Sequence, residues 1–173
     1  MGVLSYLGIG SNMGDREANV RAAIARLSTT AGLREVRASG LWESEAWGGV
    51  EQEPFVNAVV EARSALAPPL LLEVAQDIER ELGRRRAEEA VRWGPRLLDL
   101  DLLFYGAMVL HEPTVEVPHP RLQERRFVLE PLCELNPELV HPILNQTVAE
   151  LLASCEDRGL VRRLPEAPLV PSW

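Results

Sequence analysis

Lysine is absent from this sequence of 173 residues, so all 18 of its basic side chains are arginines. The absence excludes a Walker A phosphate-binding lysine, a Schiff-base nucleophile and an attachment site for pyridoxal phosphate. We therefore expect arginine side chains to supply the positive charge of any anion-binding site in the chain.

Cysteine and long apolar runs are scarce as well. Cys133 and Cys155 have neither CxxC spacing nor a neighbouring pair of histidines, so the sequence has no zinc or iron–sulfur signature. No apolar run approaches the roughly 18 residues that a membrane span requires. The N-terminus also lacks a basic segment followed by the apolar stretch of a secretion signal. These absences predict a cytoplasmic protein with two free thiols and no membrane partner.

Acidic side chains outnumber basic ones by 26 to 18, which gives a net charge of −8. Such a surface repels the phosphate backbone of nucleic acids, so we expect no nucleic-acid partner. The length and the hydrophobic share of 46% suit one core, and we interpret residues 1–173 as a single domain. No exposed apolar stripe is evident once the core is assigned, which favours a monomer.

The pattern of apolar residues predicts the element order β-α-β-β-α-β over the first 106 residues. The predicted elements are a strand at 3–9, a helix from the N-cap Asp15 to about Gly32, a strand at 33–42, a loop at 43–53, a strand at 55–63, a helix from Pro68 to Gly83, an arginine-rich loop at 84–96 and a strand at 97–106. This order is typical of ferredoxin-like α+β folds, a split βαβ antiparallel sheet with helices on one face. The other face is then available for a site.

The remainder of the chain, residues 107–173, is predicted to form short C-terminal extensions. We expect a hairpin at 107–117, one helix near 126–135, a second helix at 147–153 and a proline-rich tail.

Asp99 and Asp101 stand two residues apart within an apolar run of strand length. Side chains at that spacing point to the same face of a strand. Two carboxylates on one face repel each other unless a cation lies between them, and Mg²⁺ prefers one or two carboxylates together with water and substrate phosphates. The pattern therefore predicts a site for Mg²⁺ and a nucleotide. The alternative is that both aspartates face solvent or pair with neighbouring arginines.

Arginines are concentrated just ahead of this strand, at Arg84, Arg85, Arg86, Arg92 and Arg96. Guanidinium groups suit bidentate contact with phosphate and stabilise charge on a phosphoryl group in transfer. The cluster favours a polyphosphate ligand, and a solvated face paired with neighbouring glutamates is the competing interpretation.

Two further positions suggest ligand contacts. Phe55 and Asn57 share one face of their predicted strand, which suits a flat heterocycle held by stacking and edge hydrogen bonds. His119, between two prolines, could bind phosphate or ribose. A core phenylalanine, a ladder-ending asparagine and a turn-capping histidine remain open as structural alternatives.

The residues that match a known family are spread over roughly residues 3–140. They are Gly8-Ile9-Gly10-Ser11-Asn12, Pro54-Phe55-Val56-Asn57-Ala58, Arg92-Trp93-Gly94-Pro95-Arg96, Leu98-Asp99-Leu100-Asp101, Val117-Pro118-His119-Pro120-Arg121, Arg125 and Phe127. Through them the chain resembles the 6-hydroxymethyl-7,8-dihydropterin pyrophosphokinases of folate biosynthesis. The resemblance implies an ATP-dependent diphosphokinase on a ferredoxin-like fold, which transfers a pyrophosphoryl group to the pterin hydroxymethyl oxygen and releases AMP.

The resemblance also implies a role for each matching residue. Asp99 and Asp101 correspond to ligands of two Mg²⁺ ions, and Arg84, Arg86 and Arg96 to catalytic groups. The pterin-binding positions are Ser44, Trp47, Phe55, Asn57 and Phe127. The nucleotide-binding positions are Glu79, Arg84, Arg86, Trp93, Arg96, His119 and Arg125. Closure of the segments that carry Arg84, Arg86 and Arg125 would exclude water from the reacting groups.

Two other functions compete with this one. The glycines Gly8, Gly10 and Gly14 loosely resemble a dinucleotide-binding motif of an oxidoreductase, but their spacing is one residue too long and parallel βαβ repetition is absent. A non-catalytic ferredoxin-like module that binds an anionic metabolite would not need paired strand carboxylates. Replacing Asp99 and Asp101 by asparagine distinguishes the two functions. The substitutions should leave the ligand affinity of such a module nearly unchanged, whereas they should remove Mg²⁺-dependent nucleotide binding and activity from a kinase.

Overall fold

The computed structural model describes residues 1–46, 51–83 and 97–166. Its strands and helices are, in chain order, β1 (Val3–Ser11), α1 (Arg16–Ser28), β2 (Leu33–Ala38), β3 (Trp42–Ser44), β4 (Phe55–Ser64), α2 (Pro68–Glu81), β5 (Asp99–Tyr105), β6 (Leu110–His111), β7 (Glu116–Val117), α3 (Arg126–Leu135), α4 (Val148–Ser154) and β8 (Val161–Arg163). A short 3-10 turn at Leu122–Glu124 leads into α3. The predicted hairpin is β6 and β7, and the two predicted C-terminal helices are α3 and α4.

The main sheet has the strand order β5-β1-β4-β3-β8, with β2 also paired to β4. Every pairing in it is antiparallel. The α+β, ferredoxin-like expectation is therefore confirmed. The predicted strand at 33–42 is divided into β2 and β3, which lie one after the other along β4. Glu43 and Ser44, expected in a loop, belong to β3 because they pair with β4.

Helices α1 and α2 cover one face of the sheet. Leu7, Val56 and Leu100 from the strands pack there against Val20 of α1 and Leu71 of α2. Alternation along each strand sends every second side chain to this face, which is the condition for a half-buried sheet. The fully buried helix positions recur at the spacing of an amphipathic helix.

Local signals in the sequence set the ends of these helices. The side chain of Asp15 accepts a hydrogen bond of 3.1 Å from the backbone N–H of Ala18, as predicted for the N-cap of α1. Proline occupies the first turn of α2, where its missing N–H costs nothing. Gly83, at φ +103°, has the backbone conformation in which glycine ends helices, and it follows α2 closely.

The opposite face of the sheet is only partly free, which corrects the expectation from the sequence. Helices α3 and α4 form a second apolar core there, in which Leu129 and Leu132 of α3 and Leu151 of α4 meet Tyr6 and Leu103 of the strands. The apolar stripe of α3 needs a partner surface, and the sheet supplies it. The part of this face beyond α3 holds the cavity described below.

The C-terminal segment contributes a strand that the sequence did not predict. Strand β8 pairs with β3, with Ser44 opposite Val161. Its three residues, Val161–Arg163, are too few to display alternation, and the two arginines are exposed. The strand forms because β3 offers an unpaired edge and because Arg162 binds the carboxylate of Glu43 at 2.7 Å.

Candidate functional site

A cleft of about 200 Å³ lies where β1, β3, β4 and β5 meet the segment that leads into α3. It is lined by Gly8, Ile9, Gly10, Ser44, Glu45, Phe55, Asn57, Ala58, Val59, Asp99, Asp101, Leu103, His119, Arg125, Phe127 and Val128. Eight residues expected from the sequence are thus brought together: Ser44, Phe55, Asn57, Asp99, Asp101, His119, Arg125 and Phe127.

Gly8 and Gly10 form part of the floor of the cleft. Gly8 pairs with Asp101 and Gly10 pairs with Asp99 across β1 and β5. A Cβ atom on Gly10 would lie 3.4 Å from Oδ1 of Asn57. The two glycines therefore keep the space between β5 and β4 open. Their role was not inferred from the sequence, although two glycines at alternate positions of a strand were the available signal.

Asp99 and Asp101 are half-buried and both line the cleft. Their placement on one face of β5 agrees with the spacing in the sequence. Among the described residues there is no group of three or more His, Cys, Asp or Glu side chains that could hold a metal ion. A pair of carboxylates that faces an open cleft fits Mg²⁺ nonetheless, because that ion takes one or two carboxylates and completes its shell with water and phosphate oxygens.

Arg125 brings a buried positive charge to the same cleft, since its side chain is 8% exposed. Burial lowers the pKa of Arg125, and the negative charges of Asp101 and Asp99 act against this effect. Its guanidinium carbon lies 5.8 Å from the centre of the Phe127 ring. A charge so poorly hydrated interacts strongly with an anionic ligand.

His119 lies beside this arginine. Burial, together with the positive charge of Arg125, lowers the pKa of His119 to about 4. Its Nδ1 accepts a hydrogen bond of 3.2 Å from the backbone N–H of Arg121. A neutral ring with Nδ1 as acceptor carries its proton on Nε2, so His119 can donate a hydrogen bond to a ligand at neutral pH.

The other end of the cleft combines aromatic rings with buried amide and hydroxyl groups. Phe55 and Asn57 share one face of β4 as predicted, and Phe127 comes from the first turn of α3. The amide of Asn57 donates a hydrogen bond of 2.7 Å to Oγ of Ser44. Ser44 lies at the end of β3, not in a loop as expected, and this pairing fixes its position. Rings and polar groups so arranged suit a flat heterocycle.

Glu79 lies inside the molecule between α2 and β5, and it is not among the residues that line the cleft. Its side chain is 3% exposed, and Oε1 accepts a hydrogen bond of 2.8 Å from the backbone N–H of Leu100. That N–H belongs to the residue between the two aspartates. A direct contact between Glu79 and a nucleotide stays a prediction, whereas its contact with β5 is a feature of the fold.

The remaining predicted residues fall outside the described ranges. They are Trp47, Arg84, Arg85, Arg86, Arg92, Trp93 and Arg96. Four cleft residues, Glu45, Val59, Leu103 and Val128, were not singled out from the sequence, and none carries a motif that could have identified it. No helix in the described ranges is long and apolar enough to cross a membrane.

A family model and two similar proteins carry the same description. The family model described as 7,8-dihydro-6-hydroxymethylpterin-pyrophosphokinase (HPPK) matches residues 6–137. A protein of Methylorubrum extorquens named 2-amino-4-hydroxy-6-hydroxymethyldihydropteridine pyrophosphokinase is 41% identical over 158 residues, which cover 91% of this chain and 97% of that protein. A protein of the same name from Bacillus subtilis is 43% identical over 135 residues, covering 78% of this chain and 79% of its own length.

Solved structures with a similar fold include wild-type HPPK-DHPS of Plasmodium falciparum. Its TM-score is 0.67 at 15% sequence identity, and the match covers 88% of this chain and 44% of the other. This likeness concerns the fold alone, and this chain spans less than half of the HPPK-DHPS chain. Because the family model covers most of the sequence and relatives of nearly equal length share about two-fifths of its residues, the chain belongs to the 7,8-dihydro-6-hydroxymethylpterin-pyrophosphokinase family.

Proposed function

We propose that this protein is an ATP-dependent diphosphokinase that transfers a pyrophosphoryl group to the hydroxymethyl oxygen of 6-hydroxymethyl-7,8-dihydropterin, a step of tetrahydrofolate biosynthesis. The observation that carries the proposal is that one cleft is lined by two chemically different sets of side chains. The rings and the amide come from β4 and α3, and the two carboxylates come from β5 on the other side of β1. The buried guanidinium of Arg125 lies 5.8 Å from the Phe127 ring. Family membership supports the same reaction.

The pterin ring binds between Phe55 and Phe127 in this proposal. Support comes from the two rings that line the cleft together with Asn57 and Ser44. Stacking of a flat ring on aromatic side chains stabilises its burial, and the amide and hydroxyl groups discriminate its edge by hydrogen bonds. Trp47 is also assigned to the pterin, because its position matches a pterin-binding position of the family.

The triphosphate binds at the other end. Asp99 and Asp101 would hold two Mg²⁺ ions there, and bound Mg²⁺ supplies positive charge against the phosphate oxygens. Arg125 and His119 contact anionic oxygens of the nucleotide, an assignment supported by their position in the cleft that the two aspartates also line. Glu79, Trp93 and the catalytic arginines Arg84, Arg86 and Arg96 are assigned to the nucleotide by resemblance.

The reaction needs positioning and charge stabilisation more than covalent catalysis. The hydroxymethyl oxygen forms a bond to the β-phosphorus of ATP. The bond from that phosphorus to the oxygen bridging the α-phosphate breaks, AMP leaves, and the hydroxyl proton is released. The chain contributes by orienting the ring, holding the phosphates and keeping water from competing with the hydroxymethyl group.

Incubation of the purified chain with ATP, Mg²⁺ and 6-hydroxymethyl-7,8-dihydropterin tests the proposal. We expect AMP, resolved from ADP by chromatography, only when the pterin is present. Formation of ADP would identify an ordinary kinase, and tight binding of both ligands without turnover would identify a non-catalytic binding module.

The protein works as a cytoplasmic monomer in this proposal, with ATP and the pterin as its ligands and neither nucleic acid nor membrane as a partner. The net charge of −8 supports the absence of a nucleic-acid partner. Light scattering on a sizing column measures the mass, and a value near twice the 19.2 kDa of one chain would contradict the monomer.

A further inference from the structure

The segment from residue 155 to residue 163 lies beyond the part of the chain that the family model matches, which ends at residue 137. This C-terminal segment nevertheless reaches the ring-binding end of the cleft. A second cavity of about 140 Å³ adjoins that end, and its lining combines Ser44 and Phe127 with Asp157, Gly159 and Leu160. The segment therefore forms the outer wall behind two residues that we assign to the pterin.

Asp157 connects this segment to the start of α3. One carboxylate oxygen of Asp157 accepts a hydrogen bond of 3.1 Å from the backbone N–H of Arg126, the first residue of the helix. The backbone carbonyl of Asp157 accepts a second bond, of 3.2 Å, from Nε of Arg126. The other carboxylate oxygen accepts the N–H of Gly159 at 2.9 Å, which holds the carboxylate in place.

Helix α3 depends on this carboxylate because its own N-cap is weak. The N-cap residue is Arg125, whose side chain makes no capping hydrogen bond. A carboxylate at a helix N-terminus satisfies an exposed N–H group and interacts favourably with the helix dipole. Asp157 thus supplies from a distant part of the chain what an N-cap side chain usually supplies, one residue before Phe127.

The C-terminal segment also contacts the opposite wall of the ring site, which is formed by the end of β3. The backbone N–H of Glu45 donates a hydrogen bond of 3.2 Å to the carbonyl of Leu160. Val161 then pairs with Ser44 in the sheet. One short stretch of chain thus contacts both the strand that carries Ser44 and the helix that carries Phe127.

We propose that Asp157 is a positioning residue for the ring-binding end of the cleft, acting on Phe127 through the first turn of α3. The inference rests on the proposed function, because the pterin is the ligand that Phe127 contacts there. Asp157 touches no substrate. It fixes the distance between the two walls of the ring site. Its loss weakens ring binding more than nucleotide binding, since the carboxylates Asp99 and Asp101 lie on β5 and, of the nucleotide contacts, only Arg125 adjoins the first turn of α3.

The test compares Asp157→Ala with Glu156→Ala, a control at the preceding exposed residue. Dissociation constants and KM values are measured for 6-hydroxymethyl-7,8-dihydropterin and for ATP with Mg²⁺, beside the thermal midpoint. We expect Asp157→Ala to raise the pterin constants about tenfold, as the loss of a charge-assisted hydrogen bond does. The ATP constants should rise less than about threefold, and Glu156→Ala should resemble the wild type.

Two further variants separate positioning from stability. Asp157→Asn keeps one acceptor oxygen and should recover part of the pterin affinity. Arg126→Ala keeps the backbone N–H that Asp157 accepts, so it should weaken pterin binding less than Asp157→Ala does.

Several outcomes would overturn the proposal. Asp157→Ala could lower the thermal midpoint while pterin binding stays within twofold of the wild type, or Arg126→Ala could weaken binding as much as Asp157→Ala. Failure of the wild type to bind or convert the pterin would instead refute the proposed function, whatever the variants do.

Discussion

At the scale of single residues, the cleft depends on charges that the fold holds close together. Asp99 and Asp101 share a face of β5, and the buried cation Arg125 lies near enough for both carboxylates to affect its pKa. The cleft thus concentrates charges of both signs. A polyphosphate with Mg²⁺ would complement both, with the metal at the carboxylates and the phosphate oxygens at the guanidinium.

The double substitution Asp99→Asn with Asp101→Asn tests this function of the carboxylates. Asparagine preserves the shape of the side chain but removes the charge that attracts Mg²⁺. We expect ATP binding to lose its dependence on Mg²⁺ and kcat/KM to fall more than about a hundredfold. Calorimetry with and without Mg²⁺ measures the first effect, and AMP formation measures the second. Retained turnover would contradict the assignment of the metal site.

Substitution of Gly10 tests whether the pterin lies against the floor of the cleft. A valine suits a strand, so Gly10→Val should leave the fold intact. Its side chain would enter the space beside Asn57, where even a Cβ atom lies 3.4 Å from Oδ1. We expect the KM for the pterin to rise about tenfold or more, since displaced contacts each contribute about 1 kcal/mol. Steady-state kinetics with each substrate in turn checks this, and an unchanged pterin KM would show that the ring lies elsewhere.

His141 gives the protein a predictable response to acid. Its side chain is 4% exposed, and burial lowers the pKa of His141 below its ordinary value. Nδ1 accepts hydrogen bonds from the backbone N–H groups of Ile143 and Leu144 at 3.2 and 3.1 Å, so the folded state requires the neutral ring.

The sign of the effect follows from these contacts. Below the ordinary histidine pKa of about 6.5, the unfolded chain binds a proton that the folded chain excludes, and the folded state loses stability as the pH falls. We expect His141→Gln to remove part of this loss. Urea unfolding at several pH values between about 7.5 and 5 measures it, and parallel curves for wild type and variant would contradict the prediction.

At the scale of elements, hydrogen bonds from capping side chains fix the first residues of α1 and α4. Thr147 begins α4 with a complete capping box, in which its hydroxyl accepts the N–H of Glu150 at 3.1 Å. Glu150 in turn accepts the N–H of Thr147 at 2.8 Å. These contacts join residues three apart in the sequence, so a threonine followed three residues later by a glutamate is enough to indicate them.

Thr147→Ala tests how much this cap stabilises the fold. The substitution leaves the N–H of Glu150 without its acceptor, and we expect the free energy of unfolding to fall by about 1 kcal/mol. Chemical denaturation followed by circular dichroism measures the change. Thr147→Ser, which retains the hydroxyl, serves as the control and should lose less than half as much.

At the scale of the whole molecule, one sheet supports two apolar cores. Leu7 of β1 belongs to the core under α1 and α2, and the adjacent Tyr6 belongs to the core under α3 and α4. Strands β1, β4 and β5 each contribute side chains to both cores, so neither core can be lost while the other keeps its packing.

This shared sheet predicts that the chain unfolds as one cooperative unit, in agreement with the interpretation of residues 1–173 as a single domain. Tryptophan fluorescence and far-ultraviolet circular dichroism should give coincident urea transitions. A first transition that removes α3 and α4 while the sheet and α1 persist would contradict the prediction. Saturating ATP with Mg²⁺ and pterin should move the single transition to higher urea.

The sequence by itself determined the features that depend on local spacing. Alternation and helical periodicity predicted the order of strands and helices through β5. The two-residue spacing of Asp99 and Asp101, and of Phe55 and Asn57, predicted which side chains share a face. These patterns are readable because strand and helix periods are properties of the backbone.

Only the tertiary structure decided how distant segments meet. It divided the strand predicted at 33–42 into β2 and β3, and it covered part of the free sheet face with α3 and α4. It also made a strand of Val161–Arg163 and brought Asp157 to the start of α3. Contacts of this kind join residues far apart in the chain, so they depend on complementary surfaces and free strand edges that no local pattern specifies.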